Sequence, residues 1–150
     1  MKQLKFKKAD NKEHGQIAED YVKKILTEVN LQVATNNWAI DFVINQQVSL
    51  EVKSCQLYHL RNKDRCEKGS WVISKDNHDT LKDRDGWYAC VLMLDKVPLS
   101  LKFIHHEHAY KLSCGGGKFR HLCNHHIYKM LSLKEFIEMV YATAVPNVTN

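Results

Sequence analysis

The stretch Ile40-Asp41-Phe42-Val43-Ile44-Asn45-Gln46-Gln47-Val48-Ser49-Leu50-Glu51-Val52-Lys53 contains two runs of alternating apolar residues on either side of a short polar turn. This alternation predicts a β-hairpin. A turn centred on Gln46 pairs the apolar residues across the hairpin: Ile44 with Val48, Phe42 with Leu50, and Ile40 with Val52. A register shifted by one residue would mix the two faces, because side chains alternate with period two. The hydrophobic pattern therefore selects one pairing, with six apolar side chains on one face.

The same register collects charged residues on the other face of the hairpin. Asp41 lies opposite Glu51, and Lys53 follows two residues along. Like charges directly opposite each other destabilise an antiparallel pair and raise the pKa of one carboxyl group. A divalent cation between them would reverse the sign of that interaction. The alternative is a solvated outer face whose charges align by chance.

Length and composition favour one domain with a hydrophobic core. The chain has 150 residues, of which 44% are hydrophobic, and this is enough for a core. No apolar run approaches the ~20 residues that span a bilayer, and no signal-peptide pattern opens the chain. We therefore expect a cytoplasmic protein with no membrane partner. The net charge of +5 favours a nucleic-acid partner only modestly.

The five cysteines stand at irregular spacings without a CxxC pair. They are Cys55, Cys66, Cys90, Cys114 and Cys123. An odd number in a chain with no secretory signal favours free thiols over a disulfide framework.

Outside the hairpin, hydrophobic periodicity predicts a mixed α/β fold. A capping box at Asp10 to Glu13 precedes apolar residues at helical spacing, so we expect a helix over about 12–29 that ends at Asn30. Further expected elements are a strand over 31–34, an extended piece over 71–74, a short helix over 76–83 begun by Ser74 or Asp76, strands over 87–94, 99–104 and 119–123, and a final helix capped by Ser132. Expected irregular segments are a turn at Asn36-Asn37, loops over 61–69 and 115–117, and a disordered tail over 146–150.

These elements predict a single α/β domain over 1–150 with a central mixed sheet flanked by helices. The core covers about 12–104, and a C-terminal elaboration covers about 105–145. The run 87–94 is almost continuously apolar, so it is expected to form a fully buried strand.

This order of elements and three polar motifs resemble the PD-(D/E)XK nuclease superfamily, within it the archaeal-type Holliday junction resolvases and type II restriction endonucleases. The motifs are Gly15-x-x-Ala18-Glu19 on the first helix, Ile40-Asp41 at the second strand and Glu51-Val52-Lys53-Ser54 on the third. The resemblance covers about residues 12–94 and implies a restriction-endonuclease-like αβββαβ core. The residue before Asp41 is isoleucine rather than proline, a departure that the superfamily tolerates.

The resemblance implies a metal-dependent endonuclease that hydrolyses DNA phosphodiester bonds and acts as a homodimer. Asp41 and Glu51 would bind Mg²⁺, a hard cation suited to carboxylates, with Mn²⁺ as the alternative and the Val52 carbonyl completing the inner shell. Glu19 would reach the metal through water or help to bind a second ion, unless it is a solvated helix residue. Lys53 would deprotonate or orient the water, or stabilise developing charge. No small-molecule cofactor is expected.

Four further residues are candidates for DNA contact. Ser54 and Gln56 follow the ExK motif and could touch the scissile phosphate, whereas Lys118 and Arg120 follow the triple glycine 115–117 and could hold phosphates. His78, on the short helix, is a candidate for a cap, a surface residue or a catalytic group.

A histidine-rich segment supports a rival interpretation. It offers potential zinc ligands without a usual ligand pair: His105, His106, His108, Cys114, His121, Cys123, His125 and His126. The alternative functions are thus a zinc-stabilised interaction domain and a non-catalytic nucleic-acid-binding module on the nuclease fold.

Overall fold

The computed structural model describes residues 11–36, 40–61 and 65–143. Its helices are α1 (Asn11–Glu28), α2 (Lys75–Asp83), α3 (His106–Leu112) and α4 (Leu133–Thr143), with a 3₁₀ helix at Asn124–Lys129. Its strands are β1 (Val33–Thr35), β2 (Phe42–Ile44), β3 (Val48–Gln56), β4 (Tyr58–Arg61), β5 (Arg65–Lys68), β6 (Ser70–Ser74), β7 (Trp87–Leu94), β8 (Val97–His105) and β9 (Phe119–Cys123).

The central sheet has five strands in the order β1-β2-β3-β7-β8. Strands β3 and β7 are parallel, and every other neighbouring pair in this sheet is antiparallel. Two small antiparallel sheets, β4-β5 and β6-β9, accompany it. The predicted mixed sheet with flanking helices is confirmed, and α1, β1 to β3, α2 and β7 follow the expected αβββαβ order.

The predicted register of the hairpin is confirmed where β2 and β3 pair. Phe42 lies opposite Leu50 and Ile44 opposite Val48, around a turn in which Asn45 and Gln46 both have positive φ. The predicted pair of Ile40 with Val52 does not form. The side chain of Asp41 accepts the Val52 N–H at 2.8 Å, so a bend replaces the next rung of the ladder. Ile40 is therefore buried on the opposite side of the sheet from Val52.

Two hydrophobic clusters cover the two faces of the sheet. The first joins α1 and α4 to the sheet, and its α1 members Ala18, Val22 and Leu26 belong to the apolar stripe predicted for that helix. The second packs α2, α3, β6 and β9 against the other face. Strand β3 is consequently buried on both sides over most of its length, and the face with Glu51 is not the solvated outer face that chance alignment would require.

The short helix and the buried strand form as predicted. Ser74 is the N-cap of α2, and its hydroxyl accepts the Asn77 N–H at 3.3 Å. Strand β7 is mostly buried between β3 and β8. Strand β8 begins earlier than predicted and contains Pro98, which lies at a bulge on the edge strand, where proline is tolerated. Ser132 and Glu135 exchange hydrogen bonds at the start of α4, which confirms that cap.

Several predictions of irregular structure were wrong or fall outside the described residues. The charged segment 61–69 contributes to the β4-β5 hairpin instead of a loop, with 62–64 not described. The segment after β8 contains the unpredicted helix α3, whereas the strand over 119–123 is confirmed. Asp10, Asn37 and the tail 146–150 lie outside the described part of the chain.

The described cysteine side chains Cys55, Cys90, Cys114 and Cys123 are free thiols, as predicted. Among the described residues, no helix has the length and apolar character required to cross a membrane.

Candidate active site

Three elements bring the predicted acidic residues together. Asp41 immediately precedes β2, Glu51 lies within β3, and Glu19 projects from α1. Strand β3 holds Glu51 in place, because it pairs with β2 up to Leu50 and with β7 from Leu50 onward, where Tyr88 lies beside Glu51. Lys53 follows on the same face of β3, since side chains alternate along a strand.

Asp41 is anchored by the backbone of β3. One of its carboxylate oxygens, Oδ2, accepts the Val52 N–H at 2.8 Å. This bond holds the carboxylate beside the strand that carries Glu51. The predicted juxtaposition of Asp41 and Glu51 therefore occurs, although a side-chain contact and not a ladder pair produces it.

The carboxyl group of Glu51 is buried and has a strongly raised pKa. Glu51 is only 7% exposed, and the pKa of its carboxyl group rises from 4.5 to about 9. Burial is the largest cause, followed by the charge of Asp41 and a hydrogen bond with it, and the Lys53 ammonium opposes the rise. The Oε2 atom of Glu51 is buried without a hydrogen-bond partner among the described residues.

Glu19 belongs to the same electrostatic group. Its pKa rises from 4.5 to about 7, first because of burial and then through a hydrogen bond to Asp41 and the charge of that residue. The charge of Glu19 in turn contributes to the raised pKa of Glu51. The carboxyl groups of Glu19, Asp41 and Glu51 therefore lie together in one partly desolvated site.

This arrangement fits a divalent cation. Adjacent carboxylates destabilise one another unless a proton or a cation compensates them, and a bound ion inverts that local electrostatic balance. Carboxylate oxygens are the ligands that Mg²⁺ prefers. The buried Glu51 oxygen, which no described residue bonds, supplies an available ligand atom.

The other residues predicted near the scissile phosphate lie differently. Ser54 and Gln56 are on the opposite face of β3 from Glu51 and Lys53 by alternation. The Gln56 amide is occupied by the Asp95 backbone: it accepts the Asp95 N–H at 2.6 Å and donates to the Asp95 carbonyl at 2.9 Å. Gln56 therefore fastens the end of β3 to the β7-β8 turn. The Val52 backbone borders the carboxylates through its N–H.

Lys118 and Arg120 line a cavity of about 780 Å³ between α2, α3 and the glycine loop 115–117. Five basic side chains and two acidic ones contribute to its wall, with Lys75, Lys82 and Lys111 as the other basic members. This surplus of positive charge suits a polyanion.

Arg120 also serves the fold itself. Its guanidinium donates to the Ser113 hydroxyl at 2.7 Å, the Ser113 carbonyl at 2.8 Å and the Gly115 carbonyl at 2.9 Å, and it lies 4.3 Å from the centre of the Tyr110 ring. Arg120 therefore ties β9 to the end of α3.

His78 is neither a cap nor a surface residue. It is buried, and its Nδ1 lies 2.8 Å from the Tyr88 hydroxyl. Burial lowers the His78 pKa and raises the Tyr88 pKa. Because Tyr88 adjoins Glu51, this pair connects the wall of the cavity to the carboxylates. Sequence reasoning missed it, since no local pattern links residues ten apart on a helix and a strand.

The histidine-rich segment does not assemble as a cysteine–histidine zinc site in the described part of the chain. Cys114 and His121 face each other across an isolated bridge, and the Cys114 thiol donates to the His121 carbonyl at 3.6 Å. His105 and His106 instead converge with Asp85. Asp85 was missed because it stands in a turn and acquires its partners only through the pairing of β7 with β8.

Comparison with known proteins agrees with this fold. Residues 5–104 match the family model of the PD-(D/E)XK nuclease superfamily domain, whose members generally use divalent metals. The structure is similar to that of Hjc, a Holliday junction resolvase from the archaeal hyperthermophile Archaeoglobus fulgidus, with a TM-score of 0.54 and 12% identity over 83% of this chain and 95% of that one. No curated protein matches the chain. The similarity confirms the restriction-endonuclease-like fold, and the family match over two thirds of the sequence shows that the chain belongs to the PD-(D/E)XK nuclease superfamily.

Proposed function

We propose that the protein is a metal-dependent endodeoxyribonuclease that hydrolyses phosphodiester bonds at the site of Glu19, Asp41, Glu51 and Lys53. The observation that carries this proposal is a buried Glu51 oxygen that has no hydrogen-bond partner in the described part of the chain and lies beside two further carboxyl groups. A structural role alone would favour an apolar or neutral side chain there, because uncompensated buried carboxylates destabilise the fold.

Asp41 and Glu51 would hold Mg²⁺ or Mn²⁺, with the Val52 carbonyl and Glu19 completing or extending the site. The bound ion would neutralise charge on the non-bridging phosphate oxygens. Asp41 keeps its position through the Val52 N–H, so the carboxylates are oriented before substrate arrives. Lys53 extends from the same face of β3 as Glu51, where its ammonium group can orient the attacking water or stabilise the developing charge.

DNA is the proposed partner, and the cavity wall supports this choice. Lys118 and the other lysines of the wall carry charge that can neutralise phosphates. Ser54 and Gln56 have weaker support, since they lie on the other face of β3. A four-way junction is one proposed substrate and duplex DNA the other.

The open part of strand β8 supports a proposed homodimer. Strand β8 is an edge of the central sheet. Among the residues that the structure describes, only Leu131 bonds to the outer edge of β8, at Phe103, so the part of β8 before Phe103 is open. Leu94, Val97 and Leu99 expose apolar side chains next to the open part. Such a site is suited to pairing with a second copy of the chain.

A nicking assay on supercoiled plasmid and a four-way junction tests the nuclease proposal. The parent should cleave with Mg²⁺ and not with EDTA, and Glu51→Ala and Lys53→Ala should each reduce the rate by at least ~100-fold. Glu138→Ala and Lys134→Ala, at exposed positions of α4, are the matched controls and should keep parental rates. Cleavage by both site variants at the parental rate would refute the assignment of the site. DNA binding without metal-dependent cleavage of any substrate would instead favour the non-catalytic binding module.

A further inference from the structure

A second group of potential metal ligands lies away from the carboxylates, where α2, β7, β8 and α3 meet. Asp85, His105 and His106 each offer one ligand atom, and the three atoms lie within 4.8 Å of one another. Among the residues that the structure describes, no other trio of histidine, cysteine, aspartate or glutamate side chains converges as closely. Two imidazoles and one carboxylate form a donor set found in zinc sites that keep one coordination position open.

The backbone holds all three residues in place. Asp85 occupies the turn between α2 and β7 with φ of 51°, His105 ends β8, and His106 begins α3. Pairing of Trp87 with His105 sets the start of β7 beside the end of β8. The His106 N–H donates to the Gly86 carbonyl at 3.1 Å, which fixes the start of α3 against the turn. The ligand atoms therefore converge without any flexible loop having to fold over them.

The distances suit a metal ion of the size of zinc. Asp85 Oδ1 lies 2.7 Å from His105 Nε2 and 3.7 Å from His106 Nδ1. Tetrahedral zinc with ligand bonds of ~2.0 Å separates its donors by roughly 3.3 Å, a value between the two. His106 Nδ1 also lies 3.1 Å from the Gly86 carbonyl, so the imidazole would exchange that hydrogen bond for the metal.

The site combines a buried ligand with an exposed one. The His106 side chain is only 6% exposed, whereas the Asp85 side chain is 83% exposed. Solvent can therefore deliver an ion past Asp85 to two imidazoles that are already oriented. An exposed ion pair of Asp85 with His105 alone would contribute little to stability, and it would not require a second imidazole whose ring centre is 4.1 Å from the first.

We propose that Asp85, His105 and His106 form a binding site for one borderline transition-metal ion, of the zinc class, that fastens α3 to the β7-β8 pair. Imidazole nitrogen selects such ions over Mg²⁺, which prefers oxygen ligands. His106 also lines the basic cavity, so the ion would brace one wall of that cavity. This site differs in ligands, metal class and position from the carboxylate site, and it does not depend on the nuclease proposal.

Metal titration of the whole chain tests the site. Chelator-stripped protein in excess Mg²⁺ is titrated with zinc chloride by calorimetry and with cobalt chloride by visible absorption, which reports coordination number. The parent and Glu51→Gln should each bind one equivalent tightly and gain thermal stability from zinc. Asp85→Asn should weaken binding by at least ~100-fold and abolish that gain. Asparagine tolerates positive φ as aspartate does, so this variant keeps the turn. His105→Gln should behave in the same way.

Two matched variants separate this site from adventitious binding. Asp83→Asn removes an exposed carboxylate two residues before Asp85, and His125→Gln disrupts the adjacent pair of His125 and His126, whose ring centres lie 3.9 Å apart. Both should retain the parental affinity. Unchanged zinc affinity in Asp85→Asn, loss of binding in His125→Gln, or absence of a saturable one-to-one isotherm in the parent would each overturn the proposal.

Discussion

The buried carboxyl group of Glu51 couples the stability of the metal-free protein to pH. Its pKa in the folded protein is about 9 against an ordinary value of 4.5, so the folded chain keeps a proton that the unfolded chain releases. The stability that the protonated Glu51 contributes is fully present below about pH 4.5 and is lost as the pH rises toward 9. In EDTA, we expect the free energy of unfolding, measured with urea, to fall by on the order of 4 kcal/mol between about pH 5 and pH 8, since each pH unit in this window contributes about 1.4 kcal/mol.

Glu51→Gln removes the titrating group and keeps its shape. We expect this variant to show a flatter pH dependence and to exceed the parent in stability at high pH without metal. Glu138→Gln, exposed on α4, should keep the parental slope. Mg²⁺ should stabilise the parent more strongly as the pH rises, because the cation competes with the proton on Glu51. A parental slope in Glu51→Gln would contradict the raised pKa.

The hydrogen bond between Tyr88 and His78 makes a second prediction for single residues. Tyr88→Phe removes the hydroxyl that lies 2.8 Å from His78 Nδ1 in a buried place. The imidazole then loses its partner, and we expect the protein to lose about 1–3 kcal/mol in a denaturation experiment. Tyr141→Phe, at an exposed position on α4, is the control and should change stability by less than ~0.5 kcal/mol. Equal effects of the two substitutions would show that the buried bond contributes nothing specific.

At the scale of elements, Lys118 and Arg120, which follow the glycine loop between α3 and β9, have different roles. Arg120→Lys keeps the charge but loses the guanidinium N–H groups that donate hydrogen bonds to Ser113 and Gly115. It should therefore reduce stability by roughly 1.5–3 kcal/mol and leave the salt dependence of DNA binding unchanged. Lys118→Gln removes one charge from the cavity wall, so it should lower the slope of log affinity against log salt by about 1 and preserve stability.

Fluorescence anisotropy at several salt concentrations and thermal denaturation distinguish these two outcomes. Lys134→Gln on α4 provides a control charge removal away from the cavity. A change in the slope for Lys134→Gln equal to that for Lys118→Gln would place the DNA elsewhere.

Local patterning determined which elements the sequence could predict. The β2-β3 register and the buried strand β7 follow from hydrophobic periodicity, and the α2 and α4 caps follow from Ser74 and Ser132. The β4-β5 hairpin was missed because its charged residues lack the alternation of a half-buried strand. Helix α3 has seven residues, too few to establish a helical period, and its place depends on Gly86 in a distant turn.

The candidate site, like the fold, could be predicted from the sequence only where local patterns determine it. The hairpin register was sufficient to bring Asp41 near Glu51, but not to foresee that the Asp41 side chain would take the Val52 N–H and end the ladder. The pairing of His78 with Tyr88 arises from the packing of α2 on the sheet, and the meeting of Asp85 with His105 arises from the pairing of β7 with β8. No spacing in the sequence encodes these contacts, because the sheet topology and the helix packing bring the residues together.

At the scale of the whole molecule, the part of β8 before Phe103 is the surface that the proposed homodimer would bury. Leu99 is 47% exposed and Val97 is 59% exposed. Within the described ranges, the outer edge of their strand is paired only at Phe103, with Leu131. In a homodimer, a second copy would cover these side chains and supply the second site needed to cut both strands of a duplex. Apolar edge strands otherwise promote uncontrolled association.

We therefore expect the parent to sediment as a dimer and Leu99→Lys to sediment as a folded monomer in analytical ultracentrifugation. A lysine at an exposed edge position opposes pairing through charge and desolvation. Tyr128→Lys alters a more exposed aromatic residue on the 3₁₀ helix and should leave the dimer intact. If Leu99→Lys loses concerted cutting of both strands but still nicks one, the dimer serves to couple two independent sites. A monomeric parent, or a dimer that persists in Leu99→Lys, would exclude β8 as the interface.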